Sequence, residues 1–484
     1  MKACLVAAAA CALALATSQP ASAQASGGPA ARLTLADAVA AALARNDRLA
    51  TQQDAVTSAD LGIRLARSAF QPRVTPNILG SFGQTNVSSQ TYRVDLSERF
   101  VTGTEVRVGV GTATSQIPGT SAGSDIRFYN ADTTVAITQP LLKGFGRSVS
   151  RLALTSAESR REEALRQQAL AEQQVAVDVA TAYYRVLAQE SFVEVARQSV
   201  QRGRQLREAA EARLDAGLVS QLDLLRAQQF VTQAEGQLFD AQSAVEDARD
   251  QLLFLMGREA GAPFEIEPEI RTVPDVPDGE RAVATALATR LDLRSRQADV
   301  NDAERRIRYS RNQLLPQVDV NLALTRRTTS DTLARSFGLD GYTFATFFTI
   351  AAPPDRTAQL IEFQNARLED RRRRRDLALA ERQVADDVRR AMRERDRLLR
   401  AVSAADASVD LSRQEAEVAR IRNERGLSNN LDVIAAEGLR LQAESRRVQA
   451  RADAAVAAIR LRAVLGILAP RTDFGQPAAL PVQP

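Results

Sequence analysis

Long stretches without a helix breaker dominate the hydrophobic and polar pattern of this chain. Residues 147–215 are rich in Ala, Leu, Gln, Glu and Arg, with Gly203 as the sole Gly or Pro, and residues 356–425 have a similar composition with neither. At 1.5 Å per residue, a helix over 147–215 would be roughly 100 Å long. Helices of that length need partner helices along their apolar side, so the pattern predicts a coiled-coil-like array.

Shorter helices accompany each long one. A capping box at residues 34–37 (TLAD) opens a helix that we expect to run to about Ser68. Its counterpart should run from about Asp278 to Asn312. Turns at Gly217 and Gly426 reverse the chain. The helices predicted after these turns cover 220–257 and 429–466.

Runs of strict two-residue alternation stand between the helices. Val318, Val320 and Leu322 alternate with Asp319 and Asn321, which predicts strands with one apolar and one polar face. Such strands fit a soluble sandwich, whose apolar face meets a second sheet, or an outer-membrane barrel, whose apolar face meets lipid. The strand-like runs lie near residues 74–83, 92–100, 106–110, 126–138, 318–324 and 343–350.

The sequence contains an internal duplication. Residues 38–44 match 282–288 at an offset of 244, and residues 217–225 match 426–434 at an offset of 209. The offsets differ by 35, so the first copy has 35 surplus residues, which we place in an extra hairpin over about 92–112. The predicted organisation is a signal peptide over 1–23, a first repeat over 24–257, a linker over 258–279, a second repeat over 280–467 and a disordered tail over 468–484.

The N-terminus has the pattern of a secretory signal peptide. Lys2 precedes an apolar run over 4–16, and residues 21–23 (ASA) fit the cleavage motif. Lipidation of Cys11 is disfavoured because three Ala precede it in place of the usual branched residue. Cleavage after residue 23 would remove both Cys4 and Cys11, so we expect an exported protein without disulfides.

The composition excludes several kinds of chemistry. The chain has no His and no Trp, and its two Cys lie in the predicted signal peptide. The mature chain therefore cannot build a Ser-His-Asp triad, a His-ligated metal site or a Cys-based zinc or iron–sulfur site. The 63 Lys and Arg are mixed with 59 Asp and Glu, which does not favour nucleic-acid binding. We expect no enzyme activity, cofactor or metal.

The number of strands predicts an oligomer. Four to six strands in one chain cannot close a water-filled barrel, and open sheet edges are not tolerated in lipid. Strands that lie in a membrane must therefore be pooled by several chains. Three chains with four strands each would supply about twelve.

The ordered set of features resembles the TolC-type outer-membrane efflux proteins. It comprises the signal peptide, the duplication, the segment ITQPLLKGFG over 137–146, the paired motifs AGLVSQLDLL and RGLSNNLDVI, and prolines at the helix–strand junctions. These prolines are Pro72, Pro140, Pro316 and Pro353. The resemblance implies a mainly α, tandem-repeat TolC-like fold with β-strands. In it, a homotrimer shares one barrel in the outer membrane, and long coiled-coil helices form a periplasmic tunnel.

The resemblance also implies partners and a gate. An equatorial collar forms from the linker and the C-terminal part, and the periplasmic tips dock a membrane-fusion adaptor coupled to an inner-membrane pump. Asp432 takes the position of an entrance-ring aspartate, and Asp223 that of a residue in the closing bonds. A second ring would fall at Ala435, so it is absent unless Glu437 replaces it.

A structural role explains the same tip residues. Ser220 with Asp223, and Asn429 with Asp432, have capping spacing at a helix N-terminus, so each Asp acts as a cap, a gate residue or both. The nearby arginines either pair with these acids or form a solvated face, and we favour the face: Arg420, Arg422 and Arg425. The residues expected to dock the adaptor are Gly217, Leu218, Ser220, Gly426, Leu427 and Ser428.

We therefore predict the outer-membrane channel of a tripartite efflux system that carries small molecules or drugs. The exit duct of a type I protein secretion system is a close alternative that the sequence does not separate from it. A periplasmic adaptor or structural coiled-coil protein is an alternative of another class. An adaptor should have a lipoyl-like domain split around one hairpin and an inner-membrane anchor, and this sequence has the pattern of neither.

Overall fold

The computed structural model describes residues 32–81, 88–117, 126–267, 279–336 and 341–474. The predicted signal peptide, residues 268–278 of the predicted linker and residues 475–484 of the predicted tail lie outside this part of the chain.

The described helices and strands follow the two repeats. Those of the first repeat are β1 (Arg32–Leu33), α1 (Leu35–Arg45), α2 (Asp47–Ser68), β2 (Arg73–Ser81), β3 (Ser88–Arg99), β4 (Glu105–Ile117), β5 (Ile126–Pro140), α3 (Arg147–Ser150), α4 (Leu152–Asp215) and α5 (Gln221–Leu255). Those that follow are β6 (Glu265–Ile266), α6 (Gly279–Thr289), α7 (Leu291–Gln313), β7 (Gln317–Ser330), α8 (Leu333–Ser336), β8 (Thr343–Ala351), α9 (Thr357–Glu424), α10 (Asn430–Val464) and α11 (Pro470–Asp473).

The first predicted helix is in fact two helices. Asn46 has an extended backbone between α1 and α2, and its side-chain oxygen accepts a hydrogen bond from the backbone nitrogen of Arg48 at 3.0 Å. Its side-chain nitrogen also donates to the carbonyl oxygen of Leu255 at 2.9 Å. Asn46 therefore both caps α2 and fixes the bend against the end of α5.

Gly203 lies inside α4 and does not interrupt it. A Cβ atom at this position would lie 3.2 Å from Cδ1 of Phe230 on α5. The glycine thus allows α4 and α5 to approach closely, and this contact offsets its low helix propensity.

The long helices form two antiparallel hairpins. One consists of α4 and α5 and the other of α9 and α10, while α10 also packs against α4. The two hairpins therefore lie side by side, with their turns at the same end. No helix in the described ranges combines the length and apolarity needed to cross a membrane.

Six strands form one antiparallel sheet in the order β2-β3-β4-β5-β7-β8. The surplus residues of the first repeat form the hairpin β3–β4, which is longer than the predicted 92–112. One row of cross-strand partners runs over the whole apolar face: Val74, Leu96, Val108, Val135, Leu324 and Phe344. Among the described residues, β2 and β8 have one neighbouring strand each, so both are edges.

The largest hydrophobic core lies around the middle of α4. It includes Val179 and Val186 of α4, Val39 of α1 and Leu252 of α5, all essentially inaccessible to solvent. The hydroxyl of the buried Tyr183 lies about 3 Å from carbonyl oxygens next to the parallel strands β1 and β6. This core joins the beginning of the first repeat to the segment that follows its last helix.

The expectation of a disordered tail over 468–484 is wrong for residues 468–474. Leu468 and Pro470 are buried. Arg471 pairs with Glu172 of α4 at 2.9 Å, and Asp473 pairs with Arg462 of α10 at 2.9 Å. Burial and two ion pairs therefore hold α11 against the long helices, although its composition is typical of a flexible tail.

Candidate functional site

The turns of the two helical hairpins have the same backbone design. Gly217 and Gly426 have φ values of +70° and +69°, the left-handed region that favours glycine. In each turn the glycine N–H donates to the carbonyl three residues back, and the next N–H, of Leu218 or Leu427, donates five residues back at 2.8 Å. This is a Schellman motif, which leaves both leucine side chains strongly exposed at the tips.

The two tip aspartates have different surroundings. At the start of α5, the Asp223 carboxylate accepts hydrogen bonds from the hydroxyl and the backbone N–H of Ser220, and the Ser220 hydroxyl accepts one from the Asp223 N–H. At the start of α10, Asn429 accepts from the backbone N–H of Asp432 at 3.0 Å. The exposed Asp432 carboxylate has no hydrogen bond or ion pair with any described residue. Asp223 is therefore a capping residue, and the Asp432 carboxylate is available to other groups.

Arg420, Arg422 and Arg425 do not pair with either tip aspartate. Arg422 and Arg425 are exposed and form no ion pair within the described residues. Arg420 pairs with Glu417 and Glu424 on its own helix at 2.6 and 2.5 Å. The hydrogen bond and charge of Arg420 hold the pKa of the Glu417 carboxyl below its ordinary value. This arrangement agrees with a solvated face of α9.

Glu437 lies within α10, in a network of charged side chains between helices. Its carboxylate pairs with Arg202 of α4 at 2.6 Å, in a geometry that is not that of a hydrogen bond. The nearby Glu444, with 2% of its side chain exposed, accepts from Nε of Arg413 at 3.0 Å and from Nε of Arg440 at 3.3 Å. Glu437 thus joins α10 to α4, and the structure does not bring it to Asp432.

Three further residues tie the two tips together, and sequence reasoning missed them. Arg213 Nη1 donates to Asn423 Oδ1 at 2.6 Å, and Asn423 Nδ2 donates to the carbonyl oxygen of Ser428 at 3.1 Å. The buried Asn430 donates to the backbone carbonyl of Asp223 at 3.2 Å. Comparison of the repeats could have found Asn423, because the equivalent position in the first repeat is the apolar Leu214.

Comparison with known proteins agrees with this architecture. The sequence pattern of the outer membrane efflux protein family matches residues 38–258 and 282–467, most of the chain. The chain belongs to the outer membrane efflux protein family. The predicted family is thereby confirmed, and the two matched segments correspond to the two repeats. The family and its fold are those of channels and not of enzymes.

A curated relative and several solved structures resemble this outer membrane efflux protein. The Fusaric acid resistance protein FusA of Burkholderia cepacia is 27% identical over 206 residues, which cover 42% of this chain. The match spans only 38% of the length of that relative.

The solved structures share the fold. The VceC outer membrane protein of Vibrio cholerae has a TM-score of 0.68 at 16% identity, covering 89% of this chain and 96% of that one. The open state of the MtrE channel of Neisseria gonorrhoeae has a TM-score of 0.66 at 20% identity, covering 90% and 89%. The predicted tandem-repeat TolC-like fold, mainly helical with strands, is thereby confirmed.

The four prolines predicted at helix–strand junctions lie where strands meet helices. Pro72 and Pro316 directly precede β2 and β7, Pro140 ends β5, and Pro353 lies between β8 and α9. A proline has no N–H to donate and fixes φ, so it suits the ends of strands. Asn312 completes the junction: it donates to the Leu142 carbonyl at 3.0 Å and accepts from the Gly144 N–H at 2.8 Å.

Proposed function

We propose that this protein is the outer-membrane channel of an export system and that it works as a homotrimer whose long helices extend through the periplasm. The observation that carries the proposal is the six-stranded sheet. One of its faces is apolar and exposed, and β2 and β8 each have one neighbouring strand among the described residues.

The exposed face argues for a lipid environment. Val74 on β2 and Phe344 on β8 are 62% and 67% exposed although both lie on the apolar face. Lipid would cover these side chains, but it would not satisfy the free N–H and C=O groups of the edge strands. Pairing of β8 with β2 of the next copy would satisfy them, and three copies related in this way would close one shared wall.

The opposite end supplies a gate. Three copies of the unpaired Asp432 carboxylate around a common axis would attract cations and repel one another, so the ring would resist close approach of the tips. Within each copy, the Arg213–Asn423 and Asn430–Asp223 hydrogen bonds hold the two hairpins together, so a movement that separates the hairpins has to break them. The exposed Leu218 and Leu427 offer apolar contacts to the helical hairpins of a periplasmic adaptor, which would be coupled to an inner-membrane pump.

The name of the curated relative supports one kind of cargo. FusA is named as a fusaric acid resistance protein. This name favours small toxic organic molecules over secreted proteins as the cargo. A host lacking this gene should therefore become more sensitive to such compounds. Loss of a secreted protein from the medium, with unchanged sensitivity, would support the type I secretion alternative.

The proposal can be tested by purification and reconstitution. In detergent, the purified protein should have a mass about three times that of one chain. In planar lipid bilayers it should give discrete conductance steps. A monomer that stays soluble without detergent and gives no conductance would contradict the proposal.

A further inference from the structure

The duplication identifies which two strands of the sheet are surplus. The offset of 244 places Pro72 on Pro316, so β2 corresponds to β7, and the offset of 209 makes β5 correspond to β8. The strands β3 and β4 have no counterpart in the second repeat. The hairpin β3–β4 is therefore an insertion between two strands that would otherwise be neighbours.

The inserted hairpin is an integral part of the sheet. β3 pairs with β2 over nine positions, and β4 pairs with β5 over thirteen. Leu96 and Val108 continue the apolar row that begins at Val74 and ends at Phe344. An insertion with the same two-faced pattern as its neighbours meets the same two environments as they do.

The turn of the hairpin is fixed at the junction between the sheet and the helices. The backbone N–H of Gly146 donates to the Thr102 carbonyl at 3.1 Å, and the Thr104 hydroxyl donates to the Gln139 side chain at 2.5 Å. A Cβ on Gly103 would lie 2.7 Å from the Gly144 carbonyl oxygen. The hairpin is thus held in place by its turn as well as by its pairing with β2 and β5.

The polar face of the inserted strands has a charged cluster. Arg93 on β3 donates to Asp95 at 2.8 Å and, across β4, to Asp132 on β5 at 2.7 Å. Gly109 and Gly111 of β4 lie directly beneath this side chain. A Cβ on Gly109 would lie 2.5 Å from Nη2 of Arg93 and 2.7 Å from Oδ1 of Asp95. Glycine at these positions therefore lets the guanidinium lie flat on the sheet.

We propose that β3–β4 is a pore-widening insertion that brings the shared wall of the trimer to eighteen strands, with the Arg93 cluster on its lumen side. This inference rests on the proposed trimeric channel. Three chains with six strands each supply eighteen strands. Without β3 and β4, each chain would have four strands and the trimer twelve. Because barrel diameter grows roughly linearly with strand number, the lumen would be about 1.5-fold wider. The ion pairs with Asp95 and Asp132 hold the Arg93 side chain against the sheet, and Gly109 and Gly111 leave room for it there. Arg93 therefore does not project into the lumen.

Polymer exclusion in planar bilayers tests the widening. Neutral polymers of graded size are added on the side of the strands, and the largest that still changes the conductance is recorded. Deletion of residues 88–117 removes both strands and leaves β2 and β5 antiparallel, so the cutoff radius should fall by about one third. An unchanged cutoff in a variant that still forms trimeric channels would overturn the inference.

Cysteine labelling tests the same inference without a deletion. The two native cysteines, Cys4 and Cys11, are replaced by serine for this experiment. Ser97 lies on the polar face of β3, and its neighbour Leu96 on the apolar face. A charged, water-soluble thiol reagent should change the conductance of Ser97→Cys channels and leave Leu96→Cys channels unchanged.

The outcomes separate the inference from the proposed function. Absence of any channel from the unmodified protein would contradict the proposed function itself. Normal channels in which neither cysteine affects the conductance would leave the function intact and show that the inserted strands lie outside the wall. Gly109→Leu should displace Arg93 into the lumen and lower the conductance, whereas the neighbouring Val110→Leu, on the opposite face, should not.

Discussion

Arg213 donates a hydrogen bond of 2.6 Å to the side-chain oxygen of Asn423, which joins the last turn of α4 to the last turn of α9. This contact links the two helical hairpins of one chain close to their turns. The other side-chain group of Asn423 holds the following turn through the Ser428 carbonyl. Asn423 is thus the residue through which the geometry of one tip affects the other.

Replacement of Asn423 by leucine, the residue at the equivalent position of the first repeat, should weaken the contact between the two hairpin turns. Asn423→Leu removes both side-chain hydrogen bonds and leaves a partly buried Arg213 unpaired, at a cost of about 1–3 kcal/mol. We expect a higher open probability in planar bilayers. Arg422→Ala is a matched control, because Arg422 is exposed and forms no ion pair within the described residues. Equal open probabilities for both variants would contradict the conclusion that the Asn423 hydrogen bonds hold the two hairpin turns together.

The two tip aspartates should separate stability from permeation. Asp223→Asn disturbs a complete capping box and should lower the unfolding free energy by about 1 kcal/mol. Asp432→Asn removes an unpaired carboxylate while Asn429 keeps its cap, so it should leave stability unchanged and reduce cation preference. Thermal unfolding and reversal potentials measure the two effects. A loss of stability in Asp432→Asn with unaltered selectivity would favour a purely structural role.

The buried network at Glu444 should contribute strongly to stability. Glu444→Gln removes the buried negative charge between Arg413 and Arg440 and should cost about 3 kcal/mol, because the neutral amide no longer balances the positive charges of the two guanidinium groups. Glu194→Gln is a suitable control, since Glu194 and its partner Arg197 are exposed and such pairs contribute little. Denaturant unfolding in detergent compares them, and similar midpoints for both variants would refute the expectation.

Asp292 should give part of the stability a pH dependence. Burial works to raise the pKa of its carboxyl, but hydrogen bonds and charge from Arg290, at 2.7 and 3.0 Å, outweigh burial and hold this pKa below its ordinary value. The contribution is therefore present above the unfolded pKa of about 4 and is lost as pH falls through the lower, folded pKa.

The Asp292→Asn variant should accordingly be less stable than the unmodified protein at pH 7. The difference between their unfolding temperatures should shrink as the pH falls below about 4. Thermal scans between neutral and acidic pH measure it. A difference that stays constant with pH would mean that the carboxylate charge contributes nothing.

Two glycines of α5 and its end should respond in opposite directions to the same substitution. Gly257→Ala places a Cβ 2.7 Å from the Arg45 carbonyl oxygen at a φ of +64°, so it should cost about 2 kcal/mol or more. Gly236→Ala lies in the helix with no atom within 4 Å of the new Cβ and should gain about 0.5–1 kcal/mol. Unfolding free energies of the two variants that shift in the same direction would count against this reading.

Local pattern was sufficient for much of this architecture. Breaker-free stretches located α4 and α9, period-two alternation located the strands, and the difference between two repeat offsets located the β3–β4 hairpin. Capping spacing alone marked Ser220 with Asp223. These features depend on residues close together in the chain, so the sequence contains their physical cause.

Contacts between distant segments decided the rest. Gly203 is tolerated in α4 because of Phe230, Asn46 divides the first helix beside Leu255, and α11 is ordered by Glu172 and Arg462. Glu437 pairs with Arg202 and Arg213 meets Asn423 because α4, α9 and α10 pack side by side. The sequence by itself determined the long helices, the strands and their order along the chain. Only the tertiary structure decided which polar groups pair between different helices, since such pairing depends on distances between residues far apart in the chain.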